Sequence, residues 1–207
     1  MARKTKAEAE VTRQVILDAA EKVFITKGVA RSSLEEIART AKVTRGAIYW
    51  HFCNKSDLFD AMLDRVRLPI SALIDPTANA QTGELQALRN LCVYALRMLV
   101  EDQRYFRVYS ILFHHTESER GLKKLAEMAE ESINLMTRIF ENHPPHPSLT
   151  PRQAARSLHT QVLGIYFDWL RNPGAYDLAQ ESEILIDTLF RGICPDSQSF
   201  LPAKDNQ

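Results

Sequence analysis

Apolar residues recur at steps of three and four along almost the whole of this 207-residue chain, and that period confines it to helices packed on helices. From Glu8 to Lys27 the set Val11, Val15, Ile16, Ala19, Ala20, Val23 and Phe24 keeps the helical step, and Gly28 follows as a stop. Ser33 and Glu36 have capping-box spacing for a second helix running to about Ala41. Thr44 is placed to cap a short third helix through about His51, and Ser56 a fourth through about Ile74. Beyond the loop DPTANAQTG, residues 75–83, the helices lengthen: ELQALRNLCVYALRMLV, then 104–117, then 119–142, which stops at the proline-rich HPPHPSLTP. Pro151 after Thr150 suits the first position of an eighth helix to about Arg171, and Asp177 or Ser182 opens the last, which ends before Pro195. The expected fold is all-α with about nine helices: a three-helix N-terminal unit over 1–56 and a larger helical bundle over 57–207.

Charge divides along the same line. The formal net charge is zero, but residues 1–56 hold eleven Lys and Arg against six Asp and Glu, and the remainder carries the opposite excess. A basic head on an acidic body suits a chain whose one end meets a polyanion. No run of about 18 apolar residues is present, and MARKTKAEAE lacks a signal peptide's apolar core, so a cytoplasmic protein without a membrane partner is expected. Cys53, Cys92 and Cys194 are odd in number and far apart, which argues against a disulfide framework or a zinc site.

The segment VTRGAIYWHF, residues 43–52, crowds four ring side chains beside an arginine and a glycine. Helix 2, the short turn AKV and helix 3 have helix-turn-helix spacing, in which the second helix enters the major groove of double-stranded DNA with its N-terminal residues foremost. Thr44 can then donate to a phosphate, and Arg45 can read a guanine edge or hold the backbone. Gly46 admits close approach of the sugar-phosphate chain. Tyr49 and His51 offer donors to phosphate oxygens, Lys55 adds charge at the next helix start, and Ser33 is a further phosphate contact. Ile48 and Phe52 are expected to face inward, and Trp50 suits either role.

On these residues the chain resembles the TetR family of transcriptional repressors: GVARSSLEEIARTAKVTRGAIYWHFCNKSDLFDAM, residues 28–62, looks like the family's DNA-binding signature. MARKTKAEAEVTRQ and TRGAIYWHFCNKSDLF are similar to the AcrR-like branch of multidrug efflux repressors, and ILFHH and LGIYFDWLRNPGAYDL match that branch more loosely. The resemblance implies a homodimer on a palindromic operator, with an N-terminal helix-turn-helix domain and a C-terminal ligand-binding and dimerisation bundle that takes a small lipophilic, drug-like effector. Repression rather than activation is carried by the resemblance alone. Two departures stand out: Lys42 replaces the family's glycine in the turn, and position 53, usually polar, is a cysteine. A thiol there, near Lys55 and a helix N-terminus, opens an alternative in which oxidation of Cys53 controls DNA binding.

Three helical stripes could line an effector cavity: Phe106, Tyr109 and Phe113; Ile133, Met136 and Phe140; and His159, Leu163 and Tyr166. The resemblance adds Val66 and Ile70 of helix 4. For the dimer face, Leu158, Val162, Leu170, Ile186, Leu189 and Phe190 on the last two helices are the apolar candidates. An enzyme is not expected. His114 and His115 point about 100° apart on a helix and cannot share a metal. His143 and His146 lie in a proline-rich loop without evident co-ligands, no phosphate-cradling loop or nucleophile motif is present, and no cofactor is expected. A helical adaptor that binds only protein would explain the bundle but not Thr44, Arg45, Tyr49, His51 and Lys55 together.

Overall fold

The computed structural model describes residues 6–67, 83–114 and 119–195, with backbone alone at 119–121. Nine helices and no strand occur among the described residues: α1 (Lys6–Lys27), α2 (Leu34–Thr40), α3 (Arg45–His51), α4 (Lys55–Asp64), α5 (Glu84–Glu101), α6 (Gln103–His114), α7 (Glu119–Asn142), α8 (Pro151–Arg171) and α9 (Leu178–Ile193). They fall into two compact units. The first takes in the described residues of Met1–Arg67 and Gln103–Leu125, and the second those of Leu68–Asp102 and Ala126–Gln207.

In the first unit α1 packs on α2, α4 and α6, and α2 on α3. Ile16, Leu17, Ala20 and Phe24 of α1 meet Ile37, Ile48, Leu58 and Met62 in a core closed to solvent. The ring of Phe24 adds an edge-to-face contact with Phe59 at 6.3 Å between centroids. Val11 and Val15, which share the helical period, are 64% and 42% exposed, so the buried stripe of α1 begins at Ile16. Among these apolar groups lies Glu21, with no exposed surface. Its Oε1 accepts from Arg65 Nη1 at 2.7 Å, and its Oε2 from Arg107 Nε and Nη2 at 3.0 and 2.8 Å. Arg65, itself nearly buried at the end of α4, also donates to Asp18 Oδ1 at 2.6 Å. Burial pushes the Glu21 carboxyl above its ordinary range, and Arg107 and Arg65 pull the other way. The network joins α1, the end of α4 and α6, and explains why α6 belongs to this unit although it lies far along the chain.

The second unit is built on α5, α8 and α9. Leu88, Leu96, Leu158, Ile186 and Phe190 are fully buried, and the buried Tyr166 hydroxyl donates to the Ala95 carbonyl at 2.8 Å. Arg89 and Arg97 of α5 pair with Asp187 and Glu183 of α9, each at 2.7 Å. His146 N–H in the proline-rich loop donates to Ile193 O at 2.7 Å, pinning that loop to the end of α9. His159 is half-buried on α8, and desolvation lowers its pKa.

Several helix boundaries correct the sequence reading. The cap of α4 is Asn54, whose side chain accepts from Asp57 N–H, and Ser56 lies inside the helix. α4 ends at Asp64, with Arg65 as its C-cap, and residues 68–74 of the expected helix lie outside the described residues. Ser33 caps α2 by accepting from Glu36 N–H, but the Glu36 carboxylate pairs with Lys27, so the reciprocal half of the box is spent elsewhere. A complete capping box instead opens α8, at Thr150 and Gln153 with Pro151 between them. Asp177 caps α9, and Ser182 is buried within it.

Removing the Glu21 carboxylate should leave the nearly buried Arg65 with only its Asp18 contact and take from Arg107 its acceptor on α1. Glu21→Ala is expected to cost about 3–5 kcal/mol in urea unfolding, and a loss below about 1 kcal/mol would remove the network from the account of stability. A second expectation concerns pH. Because the folded pKa of His159 lies below its ordinary 6.5, the unfolded chain takes up its proton first, and stability present above about 6.5 is lost as the pH falls through the folded value. His159→Leu should flatten that decline in unfolding free energy between about pH 7 and 5, and an unchanged slope would contradict it.

Candidate nucleic-acid interface

The α2–α3 turn is fixed by its hydrogen bonds. Lys42 N–H donates to Arg39 O at 3.1 Å and Val43 N–H to Ala38 O at 3.0 Å, the crossed pair of a Schellman motif. That closure needs a left-handed residue after the helix end, and Lys42 supplies it at φ 55°, the one non-glycine residue at positive φ among those described. The departure from glycine therefore changes the residue and keeps the turn. Thr44 then caps α3, its Oγ1 accepting from Ala47 N–H at 3.1 Å. α2 and α3 pack together, and Ile37 of the one and Ile48 of the other are both fully buried.

With Ile48 and Phe52 turned inward as expected, the other face of α3 is presented to solvent. Arg45, Gly46, Tyr49 and Trp50 are all exposed, Trp50 at 72%. Nothing crowds Gly46: a side chain there would meet only Thr44 Oγ1, at 4.0 Å, so the open space lies on the solvent side. Half-buried His51 sets its ring against Trp50, 4.5 Å between centroids at 90°. Arg13 of α1 lies over the Phe52 ring at 5.3 Å, adding a cation beside the base of the helix. Ser33 is exposed at the start of α2.

Lys55 is placed differently from a simple phosphate contact. Its ammonium donates to the carbonyls of Ala30 and Ser32, both at 2.9 Å, and partial burial lowers its pKa. It clips the loop before α2 onto the start of α4, which leaves one N–H for a phosphate. Cys53 is exposed, and its N–H donates to Asp57 Oδ2 at 3.0 Å. With the Lys55 ammonium committed to two carbonyls, the charge expected to activate that thiol is directed elsewhere. Sequence reasoning missed Glu35, which stands 3.3 Å from Arg45 and accepts from Tyr49. Only the crossing of α2 and α3 brings it there.

The candidate effector residues divide between the two units. Tyr109 and Phe113 stack along α6 at 6.4 Å, in line with Tyr105, and Phe106 is half-buried on the same helix. Val66 is buried just beyond α4, and Ile70 lies outside the described residues. In the second unit Ile133, Met136 and Phe140 are buried, Leu163 is half-buried, and the Tyr166 hydroxyl is occupied by a backbone carbonyl. Of the six dimer candidates, Leu158, Leu170, Ile186 and Phe190 are buried within the protomer, and Val162 and Leu189 are half-buried. The surface they leave between α8 and α9 is an open groove of about 800 Å³ lined by Thr160, Gln161, Gly164, Ile165, Asp168 and Leu185 among others. Phe167 and Ile184 are exposed on the same two helices.

A capped, outward-facing second helix behind a fixed turn defines a helix-turn-helix DNA-binding protein. The sequence profile of the bacterial regulatory proteins of the tetR family matches residues 16–62, and that of the MAATS-type transcriptional repressor C-terminal region matches residues 83–194. The regulator AcrR of Shigella flexneri is 34% identical, covering 94% of this chain and 96% of its own. The crystal structure of NalD, the secondary repressor of the MexAB-OprM multidrug efflux pump in Pseudomonas aeruginosa, superposes with a TM-score of 0.81 at 39% identity, over 92% of this chain and all of NalD. The complex of SmeT with triclosan gives 0.79 at 30% identity, over 94% of this chain and 96% of SmeT. The chain belongs to the TetR family of bacterial transcriptional regulators. Among the described residues no helix is long and apolar enough to cross a membrane.

Lys42 holds a conformation that costs a side-chain-bearing residue roughly 1–2 kcal/mol. Lys42→Gly should raise the unfolding free energy by about 1 kcal/mol after the extra entropy of glycine in the unfolded chain is offset. Thermal or urea unfolding reads this, and a destabilised variant would show that the turn carries no strain.

Proposed function

We propose that this chain is a homodimeric repressor of a multidrug efflux operon, bound to a palindromic operator and released by a lipophilic, drug-like effector. The observation that carries the reading is the solvent face of α3: Thr44, Arg45, Gly46, Tyr49 and Trp50 presented together by a helix whose partner face is locked by Ile48. The relatives support the efflux assignment, since NalD is described as a pump repressor and SmeT is found with triclosan. In this reading Arg45 addresses a base edge with Tyr49 beneath it, while Ser33, Thr44, His51 and the spare Lys55 donor hold phosphates. Gly46 and Trp50 lie against the backbone.

Two protomers would meet through the α8–α9 face, where Thr160 and Gly164 let helices approach closely and Ile165, Phe167 and Ile184 supply apolar area. On a palindromic operator the two copies of α3 would enter successive major grooves about 34 Å apart, one helical turn of DNA. The effector would be held by rings and flexible apolar groups, with the Tyr109 and Phe113 row of α6 foremost. The same helix carries Arg107, which is bound to Glu21 of α1. A ligand that shifts α6 thus biases the helix that supports the DNA-reading surface, and coupling of about 1–3 kcal/mol would change operator affinity roughly 5- to 150-fold. No catalytic or cofactor role is assigned.

The test is a mobility shift with duplex fragments from upstream of the chain's own gene, repeated with a panel of lipophilic antibiotics and dyes. Specific binding is expected, weakened by about 1–3 kcal/mol in Arg45→Ala and released by at least one drug, with Tyr109→Ala blunting the release. Specific binding that no drug disturbs would overturn the effector assignment, and absence of specific binding at low salt would overturn the function.

A further inference from the structure

Glu35 puts a negative charge in the first turn of α2, beside the Ser33 cap, on the surface that the proposed function turns toward a polyanion. It is 48% exposed, so neither the core nor the fold demands it. Its partners do. Oε1 accepts from the Tyr49 hydroxyl at 3.3 Å and lies 3.3 Å from Arg45 Nη2, while the guanidinium carbon of Arg45 sits 5.6 Å over the Tyr49 ring. The three contacts close on one another: carboxylate to guanidinium, guanidinium to ring, hydroxyl to carboxylate.

Arg45 and Tyr49 are four residues apart and share a face of α3. Glu35 reaches them from another helix, across a crossing held by Ile37 and Ile48. Its own backbone N–H first, and Arg45, Tyr49 and Ser33 after a smaller opposing effect of desolvation, hold its carboxyl below the ordinary range. The charge is therefore present at neutral pH. An unrestrained arginine samples many rotamers and must be ordered on binding. Here one terminal nitrogen is paired and the guanidinium carbon lies 5.6 Å from the centre of the Tyr49 ring, while Nε and Nη1 have no protein partner among the described residues. Each is a single donor nitrogen, on a separate edge of the guanidinium, able to address an acceptor on a base edge.

We propose that Glu35 is the positioning residue for sequence recognition, holding Arg45 against Tyr49 so that the guanidinium addresses a base edge and does not swing to a phosphate. The inference rests on α3 reading DNA and adds the residue that sets its discrimination. Without Glu35 the operator loses a pre-oriented reader, and every other duplex gains a mobile cation.

The experiment compares a duplex selected by the protein from a random library with a scrambled version of it, by fluorescence anisotropy across a salt series. It uses the wild type, Glu35→Gln, Arg45→Ala, the double variant and Tyr49→Phe. Glu35→Gln is expected to lower the ratio of selected to scrambled affinity roughly 5- to 20-fold, a part of what one bidentate base contact contributes. It should also steepen the salt dependence on scrambled DNA by about 0.9 for each protomer, as Arg45 takes a phosphate. Tyr49→Phe keeps the ring, loses the hydroxyl, and should lower the ratio in the same direction by less. In the Arg45→Ala background the Glu35 change should leave the ratio within about twofold, because its effect passes through the arginine. The ratio is the readout because partial unfolding lowers both affinities alike. A ratio unchanged in Glu35→Gln, or lowered equally in the Arg45→Ala background, would overturn the proposal. A wild type that does not discriminate would instead sink the proposed function on which it rests.

Discussion

A carboxylate with no access to water can persist in a protein only when it is met by charge and hydrogen bonds, and Glu21 sets that demand at the centre of the first unit. Arg65 meets it from the end of α4 and Arg107 from α6. Apolar packing alone would tolerate some sliding between these helices, since dispersion contacts are individually weak and non-directional. Guanidinium–carboxylate contacts are directional, and they break abruptly. The network thus makes the position of α6 relative to α1 a matter of discrete geometry.

The DNA-facing end is governed by a different economy of forces. There the chain has little area to bury, because α2 and α3 are seven residues each. Local devices compensate: a capping serine, a capping threonine, a left-handed Lys42 that closes the Schellman turn, and a Lys55 clip on two loop carbonyls. Each fixes backbone rather than filling volume, so the outward side chains of α3 are left for contact instead of packing. Exposed Trp50 and Tyr49 would be anomalous in a helix that had to supply its own core.

How much of this was legible follows from the range of the interaction concerned. Caps at Ser33, Thr44, Thr150 and Asp177 were visible because they act over three residues, and so was the inward turn of Ile48 and Phe52. Asn54 was overlooked in favour of Ser56, two equally good cap residues whose choice depends on where Lys55 is drawn. Val11 and Val15 keep the helical period yet are exposed, since a period shows that a face exists and not how far along the helix it is covered. The same limit holds for the last two helices: Leu158, Leu170, Ile186 and Phe190 keep the apolar period of α8 and α9, and their burial within the protomer is set by packing that the period does not describe. Glu21 and Glu35 gave no signal at all, because their partners lie 44, 86, 10 and 14 residues away along the chain.

The central claim is that the outward face of α3 reads base edges in the major groove. Methylation interference on the bound duplex tests it most directly, because a methyl group on guanine N7 stands where Arg45 would contact the base, while one on adenine N3 lies in the minor groove. The account predicts interference at guanine N7 in two clusters about one helical turn apart, with one position in each cluster lost in Arg45→Ala. Interference confined to adenine N3, or guanine interference unchanged in Arg45→Ala, would contradict it.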